Sequence, residues 1–534
     1  MLPLSPNALR VLEARYLRRD AAGKRIEDFE GLCIRVADAV AAAEDEFGGD
    51  SESTSERYRN LLSSREFLPN SPTLMNAGTD AGQLSACFVI PVDDSLDGIF
   101  EAVRRMAVIH QSGGGTGFAF SRLRPAGDPV SDTSGVAAGP MAFLDVFDKA
   151  AGVIVQGGKR RGANMGVIRI DHPDVEAFIA SKAAHDAGLS NFNLSVGATD
   201  AFFAAAGRGE SFDLVNPRGE KVARSVSASG LLDAISKAAW ECGDPGIVFL
   251  DAMAYDHPTP GQGPLEATNP CGELPLLPNE SCNLGSIRLD LFARDGGIDW
   301  ERLDGVVDLA VRFLDDVIEV NRYPFEEIAK RTRENRKIGL GVMGFADLLV
   351  DLGIPYDSRE SLAMADQVMG RIRRRAEFAS RALASERSVF PAWPTSTLAR
   401  RGCVQRNATL TSIAPTGTLS ILADCSSGIE PYFALSYVRH VLDGAELPET
   451  TPRLERALRK AGAWSEDLAA EVRATGRLRG LSGVPDAVAR LFPTAADIAP
   501  EAHLDVQQAF QCHVDNAVSK TINLPEHATP RDIR

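Results

Sequence analysis

The sequence predicts an α/β protein, a barrel or a wound sheet, preceded by a small helical region. Two observations carry the prediction. Apolar runs of strand length at Gly166–Ile170, Phe192–Val196 and Gly246–Leu250 are separated by stretches of helical periodicity, the alternation expected of α/β architecture. Residues 8–47 instead place Leu32, Val36, Val40 and Ala43 at helical spacing, so the start is helical. The expected division is a helical region over 1–65 and the barrel over 66–534. A chain of 534 residues, 44% hydrophobic and 24% charged, can bury a large core.

Beyond the helical start, Phe67–Gly78 is rich in turn formers and small hydroxyls and reads as a capped loop. Leu84–Ile90 reads as a strand with Ser85, Cys87 and Val89 on one face. Asp93-Asp94-Ser95-Leu96-Asp97 supplies a cap and acidic residues for a helix running to about Gln111. The glycine-rich string Gly113–Pro125 is no dinucleotide fingerprint. A helix over Pro140–Val155 leads into Gln156–Met165, where Lys159, Arg160 and Arg161 sit among glycines; such a loop is either a solvated turn or a sensor of phosphate or base.

Ala267-Thr268-Asn269-Pro270-Cys271-Gly272-Glu273-Leu274-Pro275 sets an amide, a thiol and a carboxyl two residues apart. Extended backbone there would point Asn269, Cys271 and Glu273 one way, with Pro270 and Gly272 facing away, as suits an exposed tip inserted into a cavity. A carboxylate raises a neighbouring thiol pKa, so the pattern is poor for anionic sulfur and suits a thiol that carries hydrogen atoms beside a general base. Leu277–Glu280 reads as a turn and Ser281–Ile287 as the returning strand. Cys282 follows Cys271 at no zinc-ligand spacing, and a plain buried thiol stays open for it. Downstream come an amphipathic helix near 303–321, a charged helix near 358–388, and Leu410–Ser420 as strand, turn and helix start, a junction suited to phosphate or to simple capping.

Asn269-Pro270-Cys271-Gly272-Glu273, with Cys282 in Glu280–Ser286, resembles the finger loop of ribonucleotide reductase large subunits. Asn7–Leu17, Gly113–Pro125, Glu334–Gly344, Pro415–Leu419 and Gln507–Pro525 extend the resemblance through most of the chain, and the first two resemble the adenosylcobalamin-dependent class II enzymes. The resemblance implies a ten-stranded barrel with the Cys271 loop threaded into its centre. It implies a thiyl radical at Cys271, Glu273 as base, Asn269 holding substrate hydroxyls, and Cys87 with Cys282 as reductant. It implies substrate contacts at Ser71, Ala86, Cys87, Gly115, Asn269, Pro270, Cys271, Gly272, Glu273 and Pro415, Thr416, Gly417, Thr418 and Leu419, and an effector site drawing on Asp94, Ser95, Arg124, Lys159 and Arg160. Implied partners are a ribonucleoside di- or triphosphate, deoxynucleotide or ATP effectors, a thioredoxin-type reductant and a second copy of the chain. A class I large subunit with a separate radical-generating subunit, a glycyl-radical enzyme and a non-catalytic nucleotide-binding relic are the alternatives.

A net charge of −16 disfavours sequence-independent binding to nucleic acid. Eight cysteines without a CxxC pair indicate neither a secreted disulfide framework nor a zinc ribbon, and no metal site is expected. No apolar run of membrane-spanning length and no signal-type start is present, so a cytoplasmic location is expected. Family members continue beyond the equivalent of Arg534 to a cysteine-bearing tail; the expectation is a body lacking that tail, trimmed or supplied by a separate C-terminal polypeptide.

Overall fold

A computed structural model describes residues 3–130, 135–156, 160–183, 188–441 and 445–534. Its central feature is a curled, mixed sheet. The strands are β1 (Phe67–Pro69), β2 (Cys87–Ile90), β3 (Gly115–Ala119), β4 (Asn164–Arg169), β5 (Phe192–Ala198) and β6 (Gly246–Phe249). A short hairpin follows, β7 (Ala267–Thr268) and β8 (Pro275–Leu276), and then β9 (Glu280–Arg288) and β10 (Ile338–Met343). From β2 to β6 neighbours run parallel in chain order. β9 runs antiparallel to β1 and β2 and parallel to β10. Single parallel bridges, Leu340 to Thr411 and Ile413 to Val518, carry the wall past β10. The eight-stranded sheet with these two segments accounts for the ten members expected, two of them as bridges only. Leu410–Ile413, expected as a strand, is one of these bridged segments.

Parallel strands covered on both faces need apolar residues pointing both ways. Along β2, Phe88 and Ile90 join an outer core with the helices Leu96–Gln111 and Gly139–Val153, while Cys87 and Val89 face an inner core. β3 alternates likewise. Phe118 packs outward, edge-on to Phe147 at 4.9 Å between ring centroids, and Gly115, Gly117 and Ala119 share the inner side. The inner core also holds Met165, Val167, Ala267, Leu274, Leu276, Cys282 and Leu284, so the hairpin β7–β8 lies inside the curl of the sheet.

The N-terminal helices Phe29–Ala41 and Ser51–Ser63 share their core with the helices Trp300–Val320 and Arg359–Arg387. A buried ionic cluster ties these elements together. Arg387 meets Asp316 at 2.5 Å, Asp315 at 3.2 Å and Glu44 at 2.7 Å, and the Tyr58 hydroxyl donates to Asp316 at 2.5 Å. Arg336 and Arg406 also pair with Asp315, and together the guanidinium groups overcome its burial and hold its carboxyl below the usual range. Among the described residues no helix is long and apolar enough to cross a membrane.

Removing a cation from such a cluster strands buried carboxylates. Arg387→Leu is therefore expected to destabilise the protein by about 3–5 kcal/mol, read as a lower urea midpoint; an unchanged midpoint would mean that the cluster contributes nothing net.

Candidate active site

Extended backbone is not what the central stretch adopts. β7 and β8 pair antiparallel, and between them Gly272 N–H donates to the Asn269 carbonyl at 3.1 Å, closing a tight turn, with Gly272 at φ +82°. Asn-Pro-Cys-Gly has the residue preferences of a type I turn, with Asn first, Pro second and Gly fourth, and this local signal overrides strand alternation. Asn269 reinforces the hairpin, since its Oδ1 accepts from Leu274 N–H at 3.0 Å. Cys271 sits exposed at the turn, while Asn269 and Glu273 are buried at its base.

The hairpin can lie this deep because β3 leaves room for it. A Cβ on Gly117 would overlap the Thr268 carbonyl, and one on Gly115 would press on the Pro270 ring at 2.9 Å. The Pro270 carbonyl accepts from Asn193 Nδ2 at 2.8 Å, and the Glu273 carbonyl accepts from Ser412 Oγ and from Ala517 N–H, each at 2.9 Å. Both walls of the curl thus hold the loop.

Two cavities meet at Cys271. The smaller, about 290 Å³, is lined by Ser71, Ala86, Cys87, Gly115, Asn269, Pro270, Cys271 and Glu273, and at its other end by Pro415 to Leu419. The larger, about 1490 Å³, also reaches Cys271 and Pro270, and its walls include Asn193, His257, Lys337, Gln507 and Lys520. Of the residues implied to touch substrate, Gly272 is the exception: it faces only the larger cavity. Arg15, from the helical N-terminal region, lines the smaller cavity without having been singled out in the sequence, where its only signal was membership of the family-like Asn7–Leu17.

Cys87 and Cys282 are register partners on antiparallel β2 and β9, which sets their Cα atoms about 4.5–5.5 Å apart, within the span a disulfide bridges. Both are buried thiols here. Burial, then the negative charge of Glu273, pushes the Cys87 thiol well up, and burial does the same for Cys282. Asn269 Nδ2 donates to Cys87 Sγ at 3.1 Å, and Cys282 Sγ lies within hydrogen-bonding reach of the Asn283 and Lys337 carbonyls. Burial pushes the Glu273 carboxyl up to about 7, against an opposing hydrogen bond from Asn269. Its Oε2 is buried without a hydrogen-bond partner among the described residues, although it lines the smaller cavity. An acceptor left without a protein partner at a cavity wall, beside a thiol, is suited to receive a proton from a bound hydroxyl.

The residues expected at an effector site are not in this group. Asp94 and Arg124 pair with each other at 2.9 Å, and Ser95 caps the helix Leu96–Gln111 by accepting from Gly98 N–H at 3.0 Å. Arg160 lies in a two-residue strand paired with Val155–Gln156, and Lys159 falls outside the described residues. None of Asp94, Ser95 and Arg124 lines either cavity.

Comparison with known proteins finds matches along the whole chain. A family model described as "Ribonucleotide reductase, barrel domain" matches residues 85–405 and 401–534, and one described as "Ribonucleotide reductase, all-alpha domain" matches residues 2–82. The chain is 52% identical over its full length to a vitamin B12-dependent ribonucleoside-diphosphate reductase of Mycobacterium tuberculosis (strain CDC 1551 / Oshkosh), covering 77% of it. A protein of the same name from Thermoplasma acidophilum is 47% identical over the full chain, with 77% of it covered. In fold, the chain resembles the Actinobacillus ureae class Id ribonucleotide reductase alpha subunit at a TM-score of 0.80 and 23% identity, over 99% of this chain and 93% of the other.

Glu273 gives a test by pH. In the unfolded chain its carboxyl titrates near 4.5, and in the folded protein near 7. The folded state holds the proton more tightly, so stability from this group is full below pH 4.5 and is lost as pH rises through about 7. Glu273→Gln should therefore gain stability relative to the parent between these values and level off above them, in urea denaturation across that range. A difference independent of pH would contradict the burial account.

Proposed function

From the premise that the chain belongs to the ribonucleotide reductase family, we propose that it reduces ribonucleotides to 2′-deoxyribonucleotides at the smaller cavity, with Cys271 as the radical carrier. The observation that carries this assignment is the position of Cys271 at a hairpin tip open to both cavities, with Glu273 and Cys87 lining the smaller one and buried Cys282 the register partner of Cys87 behind it.

The relatives are named as vitamin B12-dependent, and the larger cavity, about 1490 Å³ and shared with the smaller at Cys271, has the volume and the polar lining to take adenosylcobalamin, which Asn193, His257, Gln507 and Lys520 would hold. When bound, this cofactor supplies the one-electron chemistry that turns a thiol into a thiyl radical. The residues on the substrate side then divide the work. The Cys271 sulfur takes the 3′ hydrogen atom of the ribose. Glu273, poised near neutral pH, takes the 3′-hydroxyl proton, and Asn269, fixed by the Leu274 amide, orients the substrate hydroxyls. The 2′-hydroxyl leaves as water. Cys87 and Cys282 together give up two electrons and two protons and become a disulfide, after which Glu273 returns its proton to the 3′ oxygen and the Cys271 thiol returns the 3′ hydrogen atom to carbon. Ribonucleotide and two thiols thus become deoxyribonucleotide, water and a disulfide.

The substrate is a ribonucleoside di- or triphosphate whose phosphates lie along Pro415–Leu419. Deoxynucleotide or ATP effectors bind near Asp94, Ser95 and Arg124, with the Gln156–Met165 loop as the link to the substrate base. Exposed Leu96 and Phe100, one turn apart on the helix Leu96–Gln111, offer an apolar patch for a second copy of the chain. A thioredoxin-type dithiol, or a separate cysteine-bearing polypeptide, renews the buried Cys87–Cys282 pair.

Turnover with adenosylcobalamin and dithiothreitol tests the reading. Activity should require the cofactor and fall to background in Cys271→Ser, and Glu273→Gln should lose roughly 10²- to 10⁴-fold in rate. Retained turnover in Cys271→Ser would overturn the assignment of the radical carrier.

A further inference from the structure

The smaller cavity is electrically lopsided. Among its described lining residues Glu273 is the one acid and Arg15 the one cation. Glu273 stands with Asn269 and Cys271, whereas Arg15 stands with Thr418, to whose Oγ1 its Nη1 donates at 2.9 Å. A nucleotide brings at least two negative charges into this space, and charges leave water at a high cost unless a counter-ion meets them. We propose that Arg15 is a substrate-binding residue whose guanidinium grips the phosphates of the ribonucleotide, so that the N-terminal helical region completes the nucleotide site.

The local backbone explains how a residue so far from the barrel reaches it. Leu12–Tyr16 is a π-helical turn, with Leu17 N–H donating to the Leu12 carbonyl at 3.1 Å. Such wide turns recur at functional sites because they shift the side-chain register of a helix. Here two consecutive side chains serve the same wall: the Tyr16 hydroxyl shares a hydrogen bond with Ser71 Oγ at 2.8 Å, and Arg15 reaches Thr418. The preceding helix is anchored to the far end of the phosphate loop, where Ser5 N–H donates to Asp424 Oδ2 at 3.2 Å and Arg65 pairs with the same carboxylate at 2.7 Å. Arg15 is thus held at Thr418 by a segment that is tied down on both sides of it in the chain, at Ser5 and at Tyr16. Its planar fork of N–H donors matches phosphate oxygens, a match that lysine reproduces only as a point charge.

The inference rests on the reading that this cavity takes a ribonucleotide, and its test separates the two. Binding of cytidine 5′-diphosphate and of cytidine to the full chain is measured by calorimetry, and turnover of the diphosphate is measured with adenosylcobalamin and dithiothreitol. Arg15→Ala should weaken diphosphate binding and raise its KM roughly 10- to 100-fold, change kcat little, and leave cytidine binding as it was. Should the alanine variant not fold, Arg15→Lys and Arg15→Gln carry the test, with affinity falling from Arg to Lys to Gln. Equal diphosphate affinity in all variants, or an equal loss for cytidine, overturns the role of Arg15. Arg15-dependent binding without any turnover would instead strike the reductase reading and leave the phosphate grip standing.

Discussion

The closeness of the hairpin to β3 is the constraint from which the site follows. Thr268 and Pro270 occupy the space where side chains on Gly117 and Gly115 would be, so two missing Cβ atoms let a loop lie inside a curled sheet. Burying a loop exposes its backbone polar groups to a dry interior, and here they are answered individually: the Pro270 carbonyl by Asn193, the Glu273 carbonyl by Ser412 and Ala517, the Leu274 amide by Asn269. Only with these satisfied does the turn hold Cys271 between two cavities. Position is therefore the main contribution of the scaffold, in keeping with chemistry in which the protein supplies geometry and the cofactor the reactivity.

The same dryness sets the electrostatics. Burial moves the Glu273 carboxyl to about 7 and is the first cause that drives the Cys87 and Cys282 thiols upward, with the negative charge of Glu273 adding to it at both. Thiols held protonated are poor nucleophiles and serviceable donors of hydrogen, which distinguishes this centre from a cysteine hydrolase, where a neighbouring histidine or helix end lowers the sulfur pKa. Next to Cys282, Lys337 and Glu280 form a fully buried pair at 2.8 Å, with Asn335 closing the second carboxylate oxygen at 2.6 Å. That pair ties the start of β9 to the residue before β10 without placing an uncompensated charge beside Cys282.

Much of this was legible in the sequence, and the exceptions have a common cause. Strand and helix periodicity placed β4, β5 and β6 and the helices Trp300–Val320 and Arg359–Arg387 within a few residues of their observed bounds. The meeting of Cys87 and Cys282 came from family resemblance, since no periodicity relates residues so far apart; the antiparallel register supplies the physical reason. Alternation failed at Asn269–Glu273, where Asn, Pro and Gly at turn positions outweighed it. Arg15 and the Glu44–Asp315–Asp316–Arg387 cluster were not foreseeable, because each depends on side chains brought together from distant elements. Asp94, read from sequence as cap or effector contact, is engaged with Arg124, while Ser95 does the capping.

The most direct test of the central claim is a single turnover without external reductant. The reduced chain is mixed with adenosylcobalamin and cytidine 5′-diphosphate, quenched in acid, alkylated and mapped by mass spectrometry. The account predicts one deoxyribonucleotide per active chain, a disulfide joining the peptides that carry Cys87 and Cys282, and Cys271 recovered as an alkylated thiol. Product formed with Cys87 and Cys282 both still alkylated, or a disulfide that includes Cys271, would contradict it.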